Sequence, residues 1–200
     1  MIDLTNEQKE YVSSNFNDLV LSNQKMDSIY FEDCIFKKSD FSEAEFMECE
    51  FVDCQFSQCN LSVVKINDCR FSEVVFEDSK VIGIDWTKAK WPNISLFSPI
   101  KFFKCIMNDS TFMGLSLNEI IIEECKAYEV DFREGNFCDA NFTYTDFANS
   151  LFNETNLSGS DFTEALNYQI DINHNNIKGA KFSRHEAVSL LEGLGIELVD

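Results

Sequence analysis

Glycine and proline are scarce in this chain, seven and two of 200 residues, so no flexible linker is evident and one continuous domain is expected. Histidine is nearly absent. His174 and His185 fall in no HxxxH spacing and near no nucleophile motif. No cysteine pair reads CxxC, so zinc is not expected. Paired carboxylates such as Glu123 and Glu124 are adjacent in sequence and mark a solvated face. The chain is therefore not expected to be an enzyme, nor to hold a cofactor or metal. No apolar run approaches the roughly eighteen residues of a spanning helix, so no membrane is expected. The opening MIDLTNEQKE has no basic and apolar signal pattern, and a cytoplasmic location follows as an expectation. Bases are also few, 16 against 35 acids.

What the chain does have is a large apolar residue every fifth position. In IYFEDCIFKKSDFSEAEFMECEF, phenylalanine returns at Phe31, Phe36, Phe41, Phe46 and Phe51. A helix would spread these rings around its circumference, and a strand would send alternate ones to opposite faces. The period belongs instead to the stacking of elements. One run of centres extends from Phe16 to Trp91. A second, shifted by one residue, runs from Phe102 through Phe132, Phe137, Phe142, Phe147 and Phe152 to Phe162, then weakly through Asn167 to Phe182. Eighteen of the twenty phenylalanines are centres, and only Phe97 and Phe103 are not.

Two residues before each centre the side chain is small or aliphatic, as at Cys49, Ala44, Gly135 and Ser160. A small, polar, large, polar, polar unit describes one side of a narrow coil. Four sides close a square coil of about twenty residues, and coils then stack at about 4.8 Å. The expected fold is all-β, a right-handed quadrilateral parallel β-helix of about eight coils and roughly 38 Å, with a short C-terminal helix. The corners need tight turns, to be supplied by Asn, Asp and Ser in place of glycine.

Seven of the eight cysteines occupy the small inward slot. Cys34 and Cys54, Cys49 and Cys69, and Cys105 and Cys125 are twenty apart and should stack in adjacent coils. Their Cα spacing would suit a disulfide, but stacked side chains run parallel and the cytosol is reducing, so free thiols serving as small fillers are expected. Cys138 follows a centre and is the expected exposed thiol.

The expected organisation is an N-terminal cap at 1–14, a first repeat run at 15–91, a register break or short loop at 92–101, a second run at 102–182 and a terminal cap at 183–200. The break holds both prolines and reads as one extra residue, a bulge or outward loop. Phe97 and Phe103 are its candidate contacts. In the terminal cap, Ser183 and Glu186 have capping-box spacing before a helix. Ala187, Val188, Leu191 and Leu194 form its apolar side, Gly195 ends it, and Ile196 and Leu198 suit a short strand.

CDANFTYTDF and SGSDFTEAL resemble the A(D/N)LXX unit of the pentapeptide-repeat proteins, whose fold is a right-handed quadrilateral β-helix. The segment from Ala165 to Asp200 is similar to the tail of those repeat proteins that protect bacterial DNA gyrase from its poisons. Within that group, IYFEDCIF and GIDWTKAKWPN resemble the albicidin-resistance type, with the quinolone-resistance and microcin-immunity types more distant. The chain departs from the quinolone-resistance type in having no long insertion between repeats. The resemblance implies a homodimer through Ala187, Val188, Leu191, Leu194, Ile196 and Leu198, and DNA gyrase, with topoisomerase IV, as partner.

A net charge of −19 on such a rod becomes, in an end-to-end dimer, about one negative charge per 2 Å. Double-stranded DNA carries one per about 1.7 Å. A rod of this density should repel nucleic acid and suit a cationic channel, which with the resemblance implies DNA mimicry. Asp131, Asp146, Glu154 and Asp161 are the candidate gyrase-facing acids. The alternative is a structural or scaffolding repeat protein with an unrelated partner, its acids serving only to keep it dispersed.

Overall fold

The computed structural model describes residues 9–92 and 98–196. The chain winds as a right-handed quadrilateral β-helix of about eight turns. Each residue pairs in parallel with its equivalent one coil on, as Phe16 with Phe36, Phe31 with Phe51, Met26 with Phe46 and Asp40 with Asn60, an offset of twenty. We number the sides by their first centres: side 1 from Tyr11, side 2 from Phe16, side 3 from Leu21 and side 4 from Met26. Side 1 opens as a four-stranded sheet, from Glu10–Val12 to Arg70–Ser72. Side 2 holds a six-stranded one, from Asn15–Asn17 to Ile121–Glu123. Side 4 has three strands, Lys25–Asp27, Glu45–Met47 and Lys65–Asn67, and side 3 is joined by single bridges from Val20 to Leu166. Pairing begins at Glu10–Val12, ahead of the expected start at residue 15.

The centres build the core. Phe31, Phe36, Phe41, Phe46, Phe51, Phe132, Phe137, Phe142, Phe147 and Phe152 are all 5% exposed or less. Rings on the same side stack nearly parallel, Phe31 on Phe51 at 5.1 Å and Phe36 on Phe56 at 4.6 Å. Rings on neighbouring sides meet edge to face, Phe31 and Phe36 at 5.3 Å and 76°. The core is thus four columns locked together by T-shaped contacts, a geometry that satisfies the quadrupole of each ring.

The small slot does more than leave room. Its thiol or hydroxyl turns back to the carbonyl of a centre in the previous coil: Cys34 to Tyr11, Cys54 to Phe31, Ser79 to Phe56, Thr145 to Ile122 and Ser160 to Phe137. Burial of these polar atoms is therefore compensated. All eight cysteines are free thiols, and Cys138 is half-buried instead of exposed. Gly135 occupies the same slot for lack of space, since a Cβ there would lie 2.3 Å from the Phe137 ring.

Each coil turns through a residue two after the centre, which takes the left-handed conformation. Ser13, Asp33, Glu48 and Val63 have φ of 47°, 50°, 50° and 59°. Such a conformation costs a non-glycine residue about 1–2 kcal/mol. The corner N–H groups offset this by donating into the next coil, as Asp33 to Val52 at 3.0 Å and Glu134 to Asn153 at 2.9 Å. Twelve of these left-handed residues are the turn-forming Asn, Asp or Ser expected there, but nine others are glutamates.

Across the register break the offset rises from 20 to 26, Phe56 pairing with Phe76 but Phe76 with Phe102. Six residues are added to this coil, not one. Trp91 closes the first run by stacking on Phe71 at 5.8 Å. Phe103 is not in the loop: it lies in the strand Ile100–Phe103, paired with Glu77 and Glu123. Phe97 falls outside the described residues.

At the C-terminal end, Asn167 does not act as a centre; it is exposed with φ of 56°, and Tyr168 is buried in its place. The final element is a 3₁₀ helix, Glu186–Leu194. The capping box does not form as expected. Ser183 Oγ instead accepts the Glu164 N–H, and Glu186 accepts the Asn167 N–H, so both side chains satisfy the open edge of the previous coil.

Phe142 is fully buried between Phe147 and Phe162. Phe142→Glu places an unpaired charge in the ring columns, and we expect loss of the cooperative thermal transition. A sharp melting curve like that of the wild type, followed by circular dichroism, would refute this account of the core.

Candidate functional site: the acidic corners

A corner side chain points furthest from the axis, and the acids gather there. Sixteen of the 35 acidic residues occupy left-handed corner positions, against two lysines, Lys38 and Lys104. They form columns because corners stack like centres. The corner after side 1 carries Asp33, Asp53, Glu73, Glu119 and Asp139; the corner after side 4 carries Glu48, Glu134 and Glu154, with Asp68. Within each run neighbouring members stand one coil apart, about 4.8 Å, while Asp68 and Glu134 are separated by the coil of Trp86 and by Gly114. Asp139 lies over Gly159 in the next coil, where a Cβ would come within 2.1 Å of its carboxylate; Gly159 also has φ of +74°.

These two corners flank side 1. Beyond the insertion, the outward row that precedes the side 1 centres is uncharged, with Lys178 following the last of them. Asn156 donates to Asn136 at 2.7 Å, Asn176 to Asn156 at 2.9 Å and Asn136 to Ser116 at 3.3 Å, an amide ladder between two carboxylate rails. Lys37, Lys38, Lys80, Lys101, Lys104 and Lys126 lie around the corner after side 2, which also carries Asp78, Glu124 and Glu164.

The four acids expected to face a partner do not share a side. Asp131 is on side 4, Asp146 on side 3 and Asp161 on side 2. Asp131 is bound by Arg133 at 2.7 Å, a hydrogen bond that holds its carboxyl below the usual range. Asp161 is paired with Lys181 at 3.0 Å, and Asp146 accepts from the Tyr128 hydroxyl. Glu154 alone stands in a rail, exposed at the corner after side 4. Spacing within one run hints at such columns, since acids two after a centre recur at twenty, but across the insertion only the winding, with its offset of 26, shows which of them share a corner.

The expected dimer residues divide. Ala187 packs against the core and Leu191 is half-buried, whereas Val188, Leu194 and Ile196 are about half exposed, at 48%, 49% and 51%. Leu190, not anticipated, is the residue that buries. Ile196 is in no strand, and Leu198 lies outside the described residues. Among the described residues no helix is long and apolar enough to cross a membrane.

A solenoid of stacked five-residue units, built from ring columns and left-handed corners, defines a class before any comparison is made. Family models for the pentapeptide repeat region match residues 29–98, and for pentapeptide repeats residues 131–166. The chain belongs to the pentapeptide-repeat family. Among solved structures, a trypsin-treated form of QnrB1, a plasmid-mediated fluoroquinolone resistance protein, matches with a TM-score of 0.61 at 18% identity, covering 96% of this chain and 100% of that one. Full-length QnrB1 matches with a TM-score of 0.53 at 18% identity, covering 94% and 100%. HetL, a pentapeptide repeat protein involved in heterocyst differentiation regulation in the cyanobacterium Nostoc, reaches 0.46 at 12% identity, covering 88% and 92%. No curated protein matches the chain in sequence.

One acid on side 4 is tied down across coils. Glu45 receives Lys25 and Lys65 at 2.7 Å each, and these hydrogen bonds lower its pKa to about 2. A depressed folded-state pKa contributes stability above the ordinary value of 4.5 and loses it as pH falls toward 2. The melting temperature of Glu45→Gln should therefore lie below that of the wild type at pH 6, with the gap closing between pH of about 4.5 and 2. A gap that stays constant over this range would show that the triad does not couple folding to protons.

Proposed function

We propose that this protein binds DNA gyrase, and topoisomerase IV, as a DNA mimic, and protects them from poisons of the albicidin or quinolone type. The observation that carries this reading is the pair of carboxylate rails flanking side 1. Two parallel rows of negative charge, Glu119 with Asp139 and Glu134 with Glu154 beyond the insertion, present to a cationic saddle what two phosphate strands present. Such a surface acts as a binding element and needs no catalytic group. Repulsion of like charge keeps the rod off nucleic acid itself. The partner places the protein in the cytoplasm. QnrB1 shares the fold from end to end, whereas albicidin is suggested by the tail and by the GIDWTKAKWPN segment.

The mimic reaches full length as a homodimer joined end to end through the exposed apolar strip of Val188, Leu194 and Ile196. Such a strip beside a solenoid end is what a two-fold partner would cover. The scaffolding alternative draws support from the acids on the remaining sides, several of them in ion pairs, since charge spread in this way also serves solubility.

Binding to gyrase should compete with DNA and weaken steeply with salt, because it depends on charge over an extended surface. Changing Glu119, Glu134, Asp139 and Glu154 together to their amides should lower gyrase affinity about tenfold at low salt without lowering the melting temperature. The same number of changes at Glu43, Asp78, Asp109 and Glu129, around side 3, should do much less. Supercoiling assays with albicidin and with a quinolone provide the functional readout: relief of poison-stabilised cleavage is expected. Absence of gyrase and topoisomerase IV binding at low salt would leave the scaffold reading. Removing residues 184–200 should convert the dimer to a monomer in light scattering; an intact protein that is already monomeric at micromolar concentration would halve the mimic's length and remove this part of the proposal.

A further inference from the structure

Side 2 and the corner that follows it carry an aromatic and acidic patch with no part in the core. In successive coils the outward positions are Phe103, then Glu123 with Glu124 at the corner, then Tyr144 at the next corner, then Glu164. Phe103 is half-buried, and Tyr144 is 59% exposed. The Tyr144 hydroxyl has no hydrogen bond among the described residues. An open depression of about 480 Å³ is lined by Glu124 and Tyr144. Tyr144 holds φ of 57° at a position where the other described residues are acids, amides, serine, lysine or glycine, save Val63. It contributes neither to the ring columns nor to the corner hydrogen bonds that its backbone alone supplies.

We propose that Phe103, Glu123, Glu124 and Tyr144 form a docking site for arginine side chains of a basic protein segment. A ring and a carboxylate one coil apart, about 4.8 Å, suit a guanidinium, which stacks flat on the aromatic face while its N–H groups reach the carboxylate. Glu164 on the far side of the ring adds a third carboxylate, and Glu123, Glu124 and Glu164 outnumber the neighbouring Lys104 and Lys126, so charge complementarity selects a cationic occupant. Lys104, whose Nζ stands 3.8 Å from Glu124, is the resident cation that an arginine would displace. An exposed tyrosine surrounded by polar groups is the usual form of an interface anchor. The site is independent of which protein supplies the arginine, and so of the gyrase reading.

The test uses the full chain and a blocked octa-arginine peptide, titrated calorimetrically at low salt, with octa-lysine for comparison. Tyr144→Ala leaves the net charge unchanged and, lying on the surface, should leave the fold intact; we expect it to weaken octa-arginine binding about fivefold, whereas Tyr144→Phe retains affinity. Glu124→Gln should weaken it more than the charge-matched Glu129→Gln on another corner. Octa-lysine should bind less tightly and respond little to Tyr144→Ala. If Tyr144→Ala binds octa-arginine within twofold of the wild type, or if Glu124→Gln and Glu129→Gln are equivalent, attraction is merely diffuse and the site is refuted. Tyr144-dependent peptide binding by a protein that does not bind gyrase would end the gyrase reading and leave this site standing.

Discussion

Ring-on-ring contact between residues one coil apart is the constraint on which the rest of the molecule depends. A coil of twenty residues encloses only eight inward positions, and four must be large enough to touch their neighbours above, below and across the axis. Phe36 does all three, stacking on Phe16 and Phe56 and meeting Phe31 and Phe41 edge to face. The remaining inward positions must then be small, as Gly135 under the Phe137 ring shows. Parallel pairing, the in-line ladder and the five-residue period are consequences of keeping these columns in register.

The corners bear the cost of that arrangement. Closing a coil so tightly requires a left-handed residue at nearly every turn, and few of them are glycine. Strain of this kind persists only where the surroundings overdetermine the backbone. Here columns on one side and interlocking corner hydrogen bonds on the other do so. The same geometry thrusts the corner side chains into water, where charge is easily hydrated. Fold and electrostatic surface are therefore two results of one turn.

The six-residue insertion divides the molecule into halves with different outer faces. Before it, side 1 carries Glu50, Arg70 and Lys90 in its outward row; after it, the same row is an amide ladder. The columns are not interrupted to the same degree, since Phe76 stacks on Phe102 and Trp86 on Phe112 across it. A continuous core thus supports a discontinuous surface, and the neutral strip between carboxylate rails exists only in the second half.

By itself the sequence determined the solenoid, because its period is set by side-chain size at every fifth residue and no other element has that period. It also determined the buried free thiols, since their slot follows from the same count. What it could not determine was anything that depends on which residues share a corner. Asp131, Asp146 and Asp161 look alike one position before a centre, yet they lie on three sides and each is already engaged. Six inserted residues read as one, because the eleven-residue step from Trp91 to Phe102 exceeds two units of five by only one. The rails, the amide ladder and the Tyr144 depression arise from residues twenty or twenty-six apart, and only the winding of the coil decides that such residues become neighbours.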